Sequence, residues 1–132
     1  MTPKLSERGW TLIEMVIVMA LIVVLAGIAT AQYRNAVVRS QEAVLREDLF
    51  RMRDAIDQYY ADKNKYPADL QALVGDGYMR EVPKDPFTQS ADTWQSIPAE
   101  PDPGNPNVQP GVYNVKSGSD RAAIDGTQYS DW

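Results

Sequence analysis

The sequence predicts an α+β chain in which one very long N-terminal helix packs on a small antiparallel sheet. Three observations predict it. An unbroken apolar run extends from Met15 to Ala29. From Tyr33 to Asp62 there is neither Gly nor Pro, and Leu45, Leu49, Met52, Ile56 and Tyr59 recur at steps of four and three, the stripe of an amphipathic helix. The C-terminal half is broken by Gly and Pro and leaves room only for short strands, at Thr93 to Ile97 and Val112 to Lys116.

The first element is membrane-length. From Trp10 to Ala31 about 22 residues rise roughly 33 Å as a helix, close to the roughly 30 Å hydrocarbon thickness of a bilayer. Glu14 stands near its front. An acid in a bilayer costs a few kcal/mol even on lenient scales and usually has a partner and a function. Lys4 and Arg8 precede the segment, so the positive-inside rule puts the N-terminus in the cytoplasm. Arg34 and Arg39 follow it and oppose that assignment.

Arg8-Gly9-Trp10-Thr11-Leu12-Ile13-Glu14 and the apolar helix behind it resemble the class III signal of type IV pilins and type II secretion pseudopilins. The resemblance implies a leader of residues 1–9, removed by a prepilin peptidase after Gly9, with N-methylation of the new first residue, Trp10. Phe is usual there, so Trp10 departs from the pattern. The resemblance also makes Glu14 the residue that governs assembly. It implies a pilin-like fold: a transmembrane and assembly helix over 10–31 and a periplasmic domain over 32–132, with 32–63 as its amphipathic helix half. An ordinary secretory signal is the alternative, since Ala29-Thr30-Ala31 offers a cleavage site before Gln32. It leaves Glu14 without a role.

Composition excludes several classes. Beyond Tyr33 there are 11 Lys or Arg against 16 Asp or Glu, and an acidic body does not suit nucleic acid. There is no Cys and no His, which removes disulfides, the commonest general base and the commonest metal ligand. Neither a nucleophile elbow, a phosphate loop nor a dinucleotide fingerprint is present, so nothing reads as an active site.

Further along, Asn64 suits a left-handed helix end and Tyr66-Pro67 stops the helix. Ala68 to Val74 reads as a second helix, with Leu70, Leu73 and Val74 facing the first, and Gly75-Asp76-Gly77 ends it. Val82-Pro83-Lys84-Asp85-Pro86-Phe87 is a rigid turn expected to bury Phe87. It resembles the Pro-Lys-Asp-Pro-aromatic turn of the major pseudopilin. Residues 98–111 hold five prolines with Glu100 and Asp102, a surface loop that serves either as an insertion or as an interaction surface. The resemblance implies calcium in the C-terminal loop, held by Asp120 and Asp125 with Ser117 and the Val115 carbonyl. Calcium takes six to eight hard oxygens. The same residues also suit Asp-rich turns that bond their own backbone. Trp132 is expected to pack on the sheet.

Taken together, the sequence reads as a major-type pseudopilin of the bacterial inner membrane. Its implied partners are copies of itself in a helical filament, the prepilin peptidase, other pseudopilins, the assembly platform, and lipid before assembly. The alternatives are a type IV pilus subunit, a membrane-anchored binding module that does not polymerise, and a secreted enzyme.

Overall fold

The computed structural model describes residues 7–132, and the side chains from Gly9 onward. Residues Met1 to Ser6 of the expected leader, with Lys4 among them, lie outside the described residues. The chain falls into two compact units, one up to Val38 and one over Arg39–Trp132. Helix α1, Glu7–Lys63, supplies all the described residues of the first and the core helix of the second.

With 57 residues, α1 is continuous. It starts before Gly9, so the last part of the expected leader is helical. No break occurs at Gly27 or Thr30, and the Thr30 hydroxyl donates back to the Ala26 carbonyl at 2.8 Å. At the other end Asn64 takes φ 54° and donates its amide to Tyr60 O at 2.8 Å, the expected left-handed stop.

In the second unit the five stripe residues are all buried, joined by Ala55 and by Glu42. Helix α2, Leu70–Gly75, begins two residues later than Ala68, because the Asp69 side chain caps it by accepting from the Ala72 amide. Leu70 and Leu73 close the core from that side, while Val74 is half-buried. Strands β1 (Gln95–Pro98) and β2 (Val112–Lys116) pair antiparallel, with Ser96 opposite Val115 and a register shift at Ile97/Pro98. β1 starts later than Thr93 because Trp94 turns inward and donates its Nε1 to Pro83 O at 2.7 Å.

Two expectations about packing are corrected. In the 82–87 turn the fully buried side chain is Asp85, and Phe87 is half-buried, stacked on Tyr129 at 3.9 Å. Trp132 packs edge-on against Tyr129 and beneath the Arg46 guanidinium, 4.4 Å from the ring centre. Its site is thus on α1 and Tyr129.

Gly118 marks the closest backbone approach. A Cβ there would lie 1.9 Å from the Thr93 carbonyl oxygen, a distance only backbone movement can relieve. Gly75, by contrast, has open space around its Cβ position. We expect Gly118→Ala to cost roughly 1–3 kcal/mol, a fall of several degrees in the melting temperature of the detergent-solubilised chain. Gly75→Ala should leave that temperature within about two degrees. Equal effects of the two substitutions would refute the close approach.

Candidate functional site

The N-terminal candidates share one exposed helix. Gly9, Trp10 and Glu14 lie in the first turns of α1, each exposed, as is every large apolar side chain from Leu12 to Ile28. The helix is long and apolar enough to cross a membrane. Glu14 is the one charged residue between Arg8 and Arg34, and it has no hydrogen-bond or ion-pair partner among the described residues. Gly9 costs about 1 kcal/mol relative to Ala inside a helix. It is therefore the point of the first turn where the backbone opens most readily.

The predicted calcium ligands are differently engaged. The Val115 carbonyl accepts from Arg53 Nη2 at 3.0 Å, so a guanidinium already occupies the place a cation would take. Ser117 is buried and donates its hydroxyl to Asp85 Oδ2. Asp125 is exposed and accepts from both the amide and the hydroxyl of Thr127, at 3.0 and 2.6 Å. Those two bonds hold its carboxyl below the usual range. Asp120 is exposed, with no side-chain hydrogen bond among the described residues. No group of three acidic side chains gathers there or elsewhere among the described residues. As it stands, this donor set does not fit a calcium site.

Protein donors hold the loop instead, through residues the sequence pattern did not single out. Asp85 Oδ1 accepts from the Phe87 amide at 2.8 Å while Oδ2 takes the Ser117 hydroxyl. Ser117 Oγ in turn accepts from the Ser119 amide at 3.2 Å. Glu42, 8% exposed on α1, accepts from the Ile124 amide and the Tyr129 hydroxyl, both at 2.9 Å. Arg53, off the apolar stripe, is half-buried. It donates to Asn114 Oδ1, Val115 O and Trp132 O at 2.8, 3.0 and 2.8 Å. Glu42 stands one turn before Leu45 on the stripe, the only signal that could have flagged it.

With this geometry in view, comparison with known proteins is informative. Residues 4–30 match the family model of the prokaryotic N-terminal methylation motif. The chain is 37% identical over 84 residues to the fimbrial protein EcpC of Eikenella corrodens, covering 60% of this chain and 55% of that protein. It is 29% identical over 97 residues to the type II secretion system core protein G of Pectobacterium carotovorum subsp. carotovorum, covering 61% of this chain and 62% of the relative. It is also 42% identical over 62 residues to the type IV major fimbrial protein FimA of Dichelobacter nodosus, covering 47% and 39%. The matches thus span less than two thirds of the length of these relatives. No solved structure matches significantly. The resemblance read from residues 8–14 and the apolar helix is the one these relatives share, and the α+β fold agrees with it.

Two outcomes follow from this site. Since protein donors already engage the Val115 carbonyl and the Ser117 hydroxyl, a chelator should leave the melting temperature unchanged; a fall of several degrees would reinstate the metal. Burial, reinforced by the Glu42 carboxyl, pushes the Tyr129 phenol up to about 12. An acid whose folded pKa is raised contributes stability that is complete below its unfolded value near 10 and is lost as pH rises toward 12. Melting temperature should therefore fall between pH 10 and 12. Tyr129→Phe should flatten that fall in part, because Tyr66 and Tyr78 are also raised. An identical alkaline profile in the variant would contradict the assignment.

Proposed function

We propose that the chain is a structural subunit of a type II secretion pseudopilus. In this reading it is made as a single-pass inner-membrane precursor with its N-terminus in the cytoplasm and the body in the periplasm. A prepilin peptidase cuts after Gly9 and methylates Trp10. The subunit then leaves the lipid and polymerises through α1 into a helical filament, working with other pseudopilins and an inner-membrane platform to support protein export. The observation that carries this is Glu14, a lone charge without a partner on the otherwise apolar, exposed stretch of α1 from Gly9 to Ala31.

Cleavage supplies the partner. The new α-amine on Trp10 has a reference pKa near 7.7–8 and is largely protonated at neutral pH. A carboxylate buried without its counter-charge costs roughly 3–5 kcal/mol, whereas a formed pair adds less net stability. Glu14 of an arriving subunit and the Trp10 amine of a neighbour therefore act as a register device: only the correct axial offset neutralises both.

Two features favour the secretion filament: the Val82 to Phe87 turn, with Asp85 at its centre, and the absence of Cys. A type IV pilus subunit is the second reading, favoured by the fimbrial relatives at 37% and 42% identity. Both readings share the N-terminal chemistry. Intact mass of the chain purified from membranes should give a start at Trp10 with one added methyl, and Glu14→Ala should retain membrane insertion while filament yield falls about tenfold or more. A chain starting at Gln32, or normal filaments from Glu14→Ala, would overturn the proposal. Loss of filaments on deleting secretion rather than pilus genes separates the two readings.

A further inference from the structure

We propose that the acidic, proline-rich loop over 98–111 of one copy docks into a cleft on a second copy, walled by Arg46, Phe50 and Trp132. The inference rests on the filament reading and adds a contact between the bodies of neighbouring subunits.

The cleft lies in the second unit, is open, and measures about 480 Å³. Its apolar walls are Phe50 and the half-buried Trp132. Phe50 is 66% exposed although it directly follows the buried core residue Leu49. Arg46 lies over the Trp132 ring, and Arg53 also lines the cleft, already engaged by Asn114 Oδ1 and the main-chain oxygens of Val115 and Trp132. Arg46 has no Asp or Glu carboxylate within 4.0 Å among the described residues. The acid that lines the cleft, Asp125, is bonded to Thr127 and lies in the field of Arg46. Two aromatic surfaces beside an arginine with no acidic side chain in contact favour an acidic, apolar segment.

The loop has that chemistry. It carries Glu100 and Asp102, five prolines and no Lys or Arg. Residues 100–110 are exposed throughout, with Val108 at 61%. Its base is fixed where the Ala99 amide donates to Gly111 O at 2.8 Å, and one turn is fixed by the Gly104 amide on Asp102 Oδ1 at 2.9 Å. Glu100 has no partner among the described residues. Further turns, closed by the Asn105 amide on Asp102 O at 3.0 Å and the Val108 amide on Asn105 O at 3.1 Å, and the prolines pre-order the loop, so docking costs it little further entropy.

Placement decides which copy supplies the loop. The cleft is built on residues 46–53 of α1, whereas the loop borders the groove at Tyr60, Asn64 and Tyr66. Phe50 and Tyr60 are separated by roughly 15 Å along α1 at 1.5 Å per residue. The loop of the same chain lies along that groove, with Glu100, Asp102, Asn105 and Val108 on its wall, so the loop that enters the cleft is a second copy's. A contact between two different patches of one chain is heterologous and leaves a free loop and a free cleft at the ends, which propagates an open helical array.

The chain has no cysteine of its own, so pairing can be read directly. In the full chain expressed in cells, Val108→Cys combined with Phe50→Cys should give a ladder of covalent multimers on oxidation. Either single variant should give nothing beyond a dimer. Filaments visible by electron microscopy without a ladder, or with dimers alone, would overturn the docking. Should the cysteine pair itself prevent filaments, the charge swap decides. Arg46→Glu is expected to lower filament yield roughly twofold to fivefold, and adding Asp102→Arg to restore it; no loss, or no recovery, would overturn the docking. Absence of filaments from the parent chain would instead overturn the filament reading itself.

Discussion

Burying a carboxyl group without donors costs several kcal/mol, and the body is organised around two carboxyls that avoid that cost. Only nine residues of the second unit lie in paired strands, four in β1 and five in β2. From Ser117 to Trp132 regular structure is limited to one bridge, Ala122 with Gln128, and a single 3-10 turn. No ladder dictates that path. Glu42 dictates it from α1, by fixing the Ile124 amide and the Tyr129 hydroxyl together. Asp85 dictates it from the 82–87 turn, through Ser117 and then Ser119. With both in place, Tyr129 is held between Phe87 and Trp132, and the aromatic cluster extends the core where the sheet is too short to do so.

Arg53 completes the arrangement from the helix side. One guanidinium satisfies an amide oxygen and two main-chain oxygens drawn from β2 and the C-terminal residue. Planar geometry makes this possible, since the five donors of Arg diverge in a fixed fork. Three charged residues on or beside α1 thus do the work that disulfides or a bound ion do in many small extracytoplasmic domains. The Val115 carbonyl illustrates the substitution directly: a protein cation sits where a metal cation was expected.

The helix, its end and its buried stripe were legible because they are periodic and local. Leu45 to Tyr59 follow one face, Asn64 takes the left-handed turn, and Pro67 bars continuation. β2 was legible for the same reason, by alternation over five residues. What escaped was long-range and polar. Only its place one turn before Leu45 distinguishes Glu42 from Glu47, yet one is buried against Tyr129 and the other pairs with Arg51 in solvent at 2.8 Å. Asp85 was hidden by its own turn, where two prolines drew attention to Phe87. Arg53 lies outside the apolar stripe, where charge ordinarily faces solvent, and nothing in its neighbours along the helix marks it as half-buried. At the N-terminus Gly9, Trp10 and Glu14 form a local pattern that needs no long-range contact, and the methylation-motif model matches residues 4–30 around it.

The two halves of α1 also solve opposite problems by the same means. In a bilayer or in the centre of a filament no water satisfies backbone groups, so only an unbroken helix is tolerable. Thr30 meets that condition by turning its hydroxyl back onto Ala26, removing itself as a polar group. Glu14 has no such escape, because a carboxylate one turn into an apolar helix finds no donor along its own backbone. In the body the same unbroken helix presents Glu42, and there the donors arrive from 82 and 87 residues along the chain. A buried acid that finds its donors within one chain specifies a fold. One that finds none must be matched by a second molecule, and that difference separates the structural acid at 42 from the acid at 14 proposed to direct assembly.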